Sequence, residues 1–246
     1  MTKAVATKTE SNLTQYQGLM DDTPVDKRDF LIPKLLLMQS SSEKVKQEKA
    51  RAGEIRGSID QNKIAEKEGS VEIIPFAVYK TWVTLAKAGN EFVSQEPLTP
   101  MNYTKPREEI RDGVEVLNYE TLNYYCLLPA EIKNGMFMPY VVSFRSTSYP
   151  AGKTLETHRA RLQEFGKPLP FKTFKLGSAP KKNDKGSFYV YTIAESRDTT
   201  EVELDAVKHW HAVVKQGAAK VDESDLTEKT TETTANATTV NEGDEY

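Results

Sequence analysis

Residues 140–191 run YVVSFRSTSYPAGKTLETHRARLQEFGKPLPFKTFKLGSAPKKNDKGSFYVY. Ten of these side chains are Lys or Arg (Arg145, Lys153, Arg159, Arg161, Lys167, Lys172, Lys175, Lys181, Lys182, Lys185), and only Glu156, Glu164 and Asp184 oppose them, giving the segment +7. Rings are interleaved with the charges: Tyr140, Phe144, Tyr149, Phe165, Phe171, Phe174, Phe188, Tyr189 and Tyr191. Cations that follow a phosphate backbone, alternating with rings on which bases stack, are what a single-stranded nucleic acid site requires.

The local order within this segment is legible. Ser146, Thr147 and Ser148 offer helix caps, and Pro150 suits a first helical turn. Ala151, Leu155, His158, Leu162 and Phe165 then recur at helical spacing until Gly166. Lys153 and Arg161 project from the apolar stripe, and Arg159 flanks it. Pro170–Leu176 and Ser187–Ala194 read as a hairpin around the polar loop 181–186, with Phe188 and Val190 on one side and Tyr189 and Tyr191 on the other.

Working outward on the N-terminal side, residues 1–25 are polar and read as a disordered arm. Phe30-Leu31-Ile32-Pro33 and Leu35–Met38 predict a short buried strand, with Pro33 at an edge or bulge. Glu43–Arg51 predicts a short exposed helix or turn, stopped by Gly53. Gly53–Leu85 reads as strands, the last of them long and rich in β-branched and aromatic residues. Residues 86–112, with Gly89, Pro97, Pro100 and Pro106, read as a loop. Val114–Leu128 and Met136–Arg145 are strand-like, joined through Asn134-Gly135, the strongest hairpin signal in the chain.

On the C-terminal side, Thr200–Gln216 predicts an amphipathic helix with Val202, Ala206, Trp210 and Val213 on one face, which suits a dimer interface as well as the core. Residues 218–246 are threonine-rich and acidic and read as a disordered tail. From Asp222 onward eight acids face one lysine, so this tail carries −7 and the remainder +4 of the overall −3. A basic body with an acidic tail is hidden by the net charge. The expected class is mainly β with helices (α+β). It would be a small OB-fold-like barrel at 26–217, with one inserted helix, a C-terminal helix and disordered ends.

Other chemistry finds little support. No apolar run reaches the ~20 residues of a membrane span, and the first 25 residues lack a signal-peptide pattern. A cytoplasmic protein is therefore expected. The single cysteine, Cys126, excludes an internal disulfide and a multi-cysteine zinc site. Ala151-Gly152-Lys153-Thr154 lacks the earlier glycine of a phosphate-binding loop, since position 147 is Thr147. His209 and His211 point about 200° apart on a helix and do not chelate from one face. Glu72, Glu115, Glu120 and Glu131 are the acids a metal-dependent nuclease would draw on, but their spacing is that of scattered carboxylates. No cofactor, metal or catalytic residue is expected.

Val142–Ser148 leading into Ala151-Gly152-Lys153, together with Asp29–Leu35, Val71–Trp82 and Asn183–Tyr189, resembles tailed-bacteriophage single-stranded DNA-binding proteins. The ending Asp244-Glu245-Tyr246 is also similar to the acidic, aromatic-terminated tails of such proteins, including the T7-type phage protein, although Phe is the usual last residue there. The resemblance implies an OB-fold that holds the strand and a tail that recruits replication or recombination partners in the host cytoplasm.

The expected function is therefore sequence-independent coating of single-stranded DNA, without catalysis. Phosphates would meet Lys153, Arg159, Arg161, Lys172, Lys175, Lys181, Lys182 and Lys185, with Arg145 on phosphate or base. Bases would stack on Trp82, Tyr140, Tyr189 and Tyr191, chosen because strand alternation can expose them. Asp244, Glu245 and Tyr246 would dock a partner. The alternatives are a metal-dependent nuclease or recombination accessory enzyme, and a virion or host-interaction protein that does not bind nucleic acid.

Overall fold

A computed structural model describes residues 31–135, 137–184, 186–215 and 220–222. The expected N-terminal arm, most of the acidic tail, Lys185 and the docking residues Asp244, Glu245 and Tyr246 lie outside the described residues.

The elements, in order, are β1 (Leu31–Ile32), β2 (Leu35–Leu37), α1 (Glu43–Lys46), β3 (Ile55–Gly57), β4 (Lys63–Ala65), β5 (Ser70–Ala86), β6 (Phe92–Pro97), β7 (Glu108–Arg111) and β8 (Val114–Leu127). They continue with α2 (Pro129–Lys133), β9 (Tyr140–Phe144), α3 (Tyr149–Glu164), β10 (Lys172–Asn183), β11 (Gly186–Asp198), α4 (Glu201–Lys215) and β12 (Lys220–Val221). The class is α+β, dominated by strands, as expected from the sequence.

β5 and β8 form the axis. β5 pairs with β8 from Ile74 to Ala86, and its opposite edge is shared between two partners: β10 beside Ser70–Ile73, and β6 beside Thr81–Leu85. Beyond β8 lie β7 at one end and β9 at the other, giving the order β11-β10-β5-β8-β7 with β6 and β9 attached. Pro75 has no N–H to give the ladder, and the register slips between Pro75 and Ala77. A second sheet, β2-β3-β4, joins through the bridge between Lys34 and Val141. None of the described sheets closes on itself, so open sheets stand where a barrel was expected.

Two cores result. Phe144, Leu122, Tyr124, Leu155, Phe174 and Leu176 pack α3 onto the inner face, and Ile74, Phe76, Leu127, Ile132, Ala206 and Val207 pack α4 and α2 against β5 and β8. Trp210 belongs to the second core, its indole N–H donating to the Phe137 carbonyl at 2.9 Å. It packs on its own chain.

Two sequence expectations are corrected here. The presumed loop 86–112 contains β6 and β7, and the tight hairpin is Asp112-Gly113, whose φ angles of 51° and 80° suit a type I′ turn. Asn134-Gly135 instead ends α2: Asn134 stays at φ −87° and Gly135 adopts 75°, a helix C-terminal stop. Pro129 at the first turn and the helix-forming Ala130–Lys133 favour a short helix over a two-residue turn there.

Candidate nucleic-acid interface

α3 carries the centre of the basic segment. Pro150 starts it, and Ala151, Gly152 and Leu155 face the sheet. A Cβ at Gly152 would stand 2.8 Å from Phe144 Cβ and 2.9 Å from Leu122 Cδ1. The glycine that invited comparison with a phosphate loop thus lets the helix touch β9. The Ser148 hydroxyl does not cap the helix; it accepts the Tyr191 amide at 3.1 Å and ties the helix start to β11.

The cations on α3 divide. Lys153 is exposed and lies 5.2 Å over the Tyr149 ring, and Arg161 is exposed with no ion pair among the described residues. Arg159 is engaged: it donates to Glu156 at 2.6 Å, and Glu156 also accepts from the Tyr124 hydroxyl. Burial opposes the charge on Glu156, but those bonds outweigh it and hold the carboxyl below its ordinary range. Lys172 is engaged too, at 2.8 Å from both Glu195 and Asp198. Those two carboxylates raise its pKa.

The β10–β11 ribbon carries the rest. β10 is held by β5 over Phe174–Gly177 and its base is then packed, with Ser178 buried and bonded to the Gly53 carbonyl and the Glu68 amide, so that a continuous exposed run begins only at the tip, Pro180–Asn183. Pairs opposite one another share a face, which puts Lys182, Ser187 and Tyr189 on the α3 side and Lys175 and Lys181 on the other. Lys175, Lys181 and Lys182 are exposed and have no ion pair among the described residues. The free edge of β11 is covered by side chains: Gln39 donates to the Tyr189 carbonyl and accepts from its amide, both at 2.9 Å, and Ser148 takes the Tyr191 amide.

The stacking expectations fare differently. Trp82 is buried on the inner face, its indole N–H donating 2.8 Å to the Asn102 carbonyl. Tyr140 is buried with its hydroxyl 2.7 Å from Glu131, and Tyr191 is buried with its hydroxyl 2.6 Å from the Leu35 carbonyl. All three sit on strand faces that α3, β2 or the 98–107 loop covers, so they present no ring to a base. Tyr189 is half-buried, with Lys67 5.7 Å over its ring. The exposed rings of the segment are Phe165 (77%) and Phe171 (41%), which helical periodicity and hydrophobicity assign to the core. Their signal was positional: Phe165 stands one residue before the helix-ending Gly166, and Phe171 follows Pro170 in a turn.

Arg145 lies between β9 and α3, half-buried, with no side-chain partner among the described residues. At the β6–β7 end of the sheet, by contrast, four cations are matched, Lys80 with Glu120, Lys87 with Glu108, Lys105 with Glu96, and Arg111 with Glu109, while Arg107 lies over the Tyr119 ring and donates to the Asn118 carbonyl. The acids considered for a nuclease are spread and engaged, Glu72 by Arg197, Glu115 by Lys87, Glu120 by Lys80 and Glu131 by Tyr140. Among the described residues no group of three or more His, Cys, Asp or Glu could hold a metal ion, and no helix is long and apolar enough to cross a membrane.

Comparison with known proteins found no match among curated proteins or solved structures. A family model described as Pam3 phage gp34-like protein matches residues 3–220, most of the chain. The chain belongs to the Pam3 phage gp34-like protein family.

Proposed function

We propose that this phage protein binds single-stranded DNA without sequence specificity and coats it during phage DNA replication or recombination in the host cytoplasm. The observation that carries the reading is the contrast in charge pairing. Arg145, Arg161, Lys175, Lys181 and Lys182 stand without carboxylate partners among the described residues, and Lys153 contacts only a ring, whereas at the β6–β7 end of the sheet Lys80, Lys87, Lys105 and Arg111 are paired with carboxylates and only Arg107 of that group rests on a ring. Unneutralised cations on a helix and a two-stranded ribbon supply phosphate contacts and release counterions on binding. Phe165, Phe171 and Tyr189 supply rings beside them. Kinship with OB-type modules is part of the proposal, as is recruitment of a replication or recombination partner through Asp244, Glu245 and Tyr246. Catalysis is not part of it.

The test is fluorescence anisotropy with a labelled oligothymidine and the matching duplex across a salt series. Preference for the single strand, weakening steeply with salt, is the expected result. Equal binding to both forms, or none at low salt, overturns the reading.

A further inference from the structure

The outer face of the central sheet, opposite α3, holds an arrangement that joins Ser143 and Arg145 to residues outside the basic segment. Register places Ser143 beside Asn123 and Asn123 beside Tyr79; one step along, Thr121 lies beside Thr81 and Thr81 beside Pro97. Arg145, extended at φ −136°, directly follows Phe144, whose partner is Leu122, at the end of β9. Because side chains alternate, Ser143 and Arg145 share this face while Phe144 turns to the core.

The floor of this row is small and polar, and it is bonded internally. The Asn123 amide donates to Thr81 Oγ1 at 3.1 Å, and the Ser143 hydroxyl donates to Asn123 Oδ1 at 2.7 Å. Large groups rise on both sides. One wall is the Tyr79–Tyr125 pair, centroids 5.3 Å apart; the other is Tyr119 with the Arg107 guanidinium 3.7 Å over its ring. All three tyrosines are half-buried; Arg107 covers one face of Tyr119, and Tyr125 also packs against the second core. At the β6 edge, beside Thr81, lies a half-open cavity of about 630 Å³ lined by Tyr79, Lys80, Thr81, Gln95, Glu96, Pro97 and Leu98. Strand spacing puts Arg145 roughly 14 Å from that cavity across β8 and β5.

We infer that this trough is a second binding surface for single-stranded nucleic acid. Arg145 takes a phosphate at one end, the tyrosine walls stack bases, and the cavity at β6 receives a base turned out of the strand. The inference rests on the function proposed above and adds to it, since Tyr79, Tyr119 and Tyr125 all lie outside residues 140–191. Arg145 joins the two surfaces, standing where β9 leaves the trough and α3 begins. Its guanidinium and that of Arg107 favour a polyanion over a neutral sugar chain, which the same rings and hydroxyls would otherwise suit.

The test pairs affinity with photocrosslinking of the unmutated full chain to an iododeoxyuridine-substituted oligothymidine. Crosslinked peptides carrying Tyr79, Tyr119 or Tyr125 are expected. Tyr79→Ala should weaken oligothymidine binding by about tenfold, the effect of one stacked base. If the wild type binds but crosslinks appear only at Phe165, Phe171 or Tyr189 and Tyr79→Ala binds normally, the trough is refuted and the proposed function stands. If the wild type binds no single strand, both fall together.

Discussion

Glu203→Gln tests whether the start of α4 is held by charge. Thr200 and Glu203 form a capping box: the Glu203 carboxylate accepts the Thr200 amide at 2.9 Å, and the Thr200 hydroxyl accepts the Glu203 amide at 3.4 Å. Arg197 donates to both carboxylate oxygens, at 2.7 and 2.9 Å, and also pairs with Glu72 at 3.2 Å. The bonds from Arg197, with those from Thr200, overcome the burial of Glu203 and pull its carboxyl from 4.5 to about 2. At ~1.4 kcal/mol per tenfold change in acidity, that shift corresponds to about 3 kcal/mol. Arg197 is one-third exposed, and screening there reduces the expected loss to about 2–3 kcal/mol. Glutamine keeps the acceptor for the Thr200 amide but removes the charge. Because the folded pKa lies below the unfolded one, this stability is fully present above about pH 4.5 and is lost as pH falls toward 2. Urea unfolding at pH 7 should therefore separate wild type and variant by about 2–3 kcal/mol, and the gap should shrink steadily as pH is lowered from about 4.5 toward 2. A gap that is absent at pH 7, or one that persists undiminished near pH 2, would refute the reasoning.

Three further outcomes follow from the packing. Gly152→Ala should destabilise the protein by about 1–3 kcal/mol in urea, because the clash with the stiff Phe144 Cβ outweighs a helix-propensity gain of ~1 kcal/mol; a stabilised variant would show that β9 yields. Gln39→Ala removes both bonds that cover the β11 edge at Tyr189, so stability should fall by about 1–2 kcal/mol and the Tyr189 amide should exchange faster by hydrogen exchange; unchanged exchange would mean the edge is covered by other groups. Cys126 is fully enclosed and burial pushes its thiol well above the ordinary range, so a thiol reagent should label it only as fast as the protein opens. Rapid labelling of the native protein would contradict this placement.

The bearing of the basic segment on function depends on which of its side chains are already committed. Arg159 and Lys172 look equivalent to Arg161 and Lys175 in sequence. Only the first two acquire carboxylate partners, because Glu156 comes round on the same helical face and Glu195 and Asp198 are brought across by the hairpin. Salt bridges of this exposure contribute little to stability, but they decide which cations remain for a phosphate. The split of Lys175 and Lys181 from Lys182 across the ribbon divides the set again.

Much of the architecture was legible from local chemistry. Pro150 and Gly166 bracket α3, although Ser146–Ser148 form a turn that leaves the helix uncapped, the alternating run Phe188–Tyr191 marks β11, and the charge excess of residues 140–191 stands out from a chain of net −3. These are short-range properties, fixed by backbone preference and by a few neighbouring side chains. What tertiary structure decided was coverage. Alternation assigns Tyr191 and Trp82 to one face of a strand, but nothing within a strand says whether α3 or the 98–107 loop will lie on that face. The same limit applied to Asp112-Gly113 and Asn134-Gly135, where the competing helix α2 was stabilised by Ile132 entering the second core. The trough of Ser143, Asn123 and Thr81 shows the limit most plainly. Its residues are separated by tens of positions in the chain, and only the register of β5, β8 and β9 brings them into one row. Burial and cross-strand register are set by contacts between distant segments, so they are absent from any local window of the sequence.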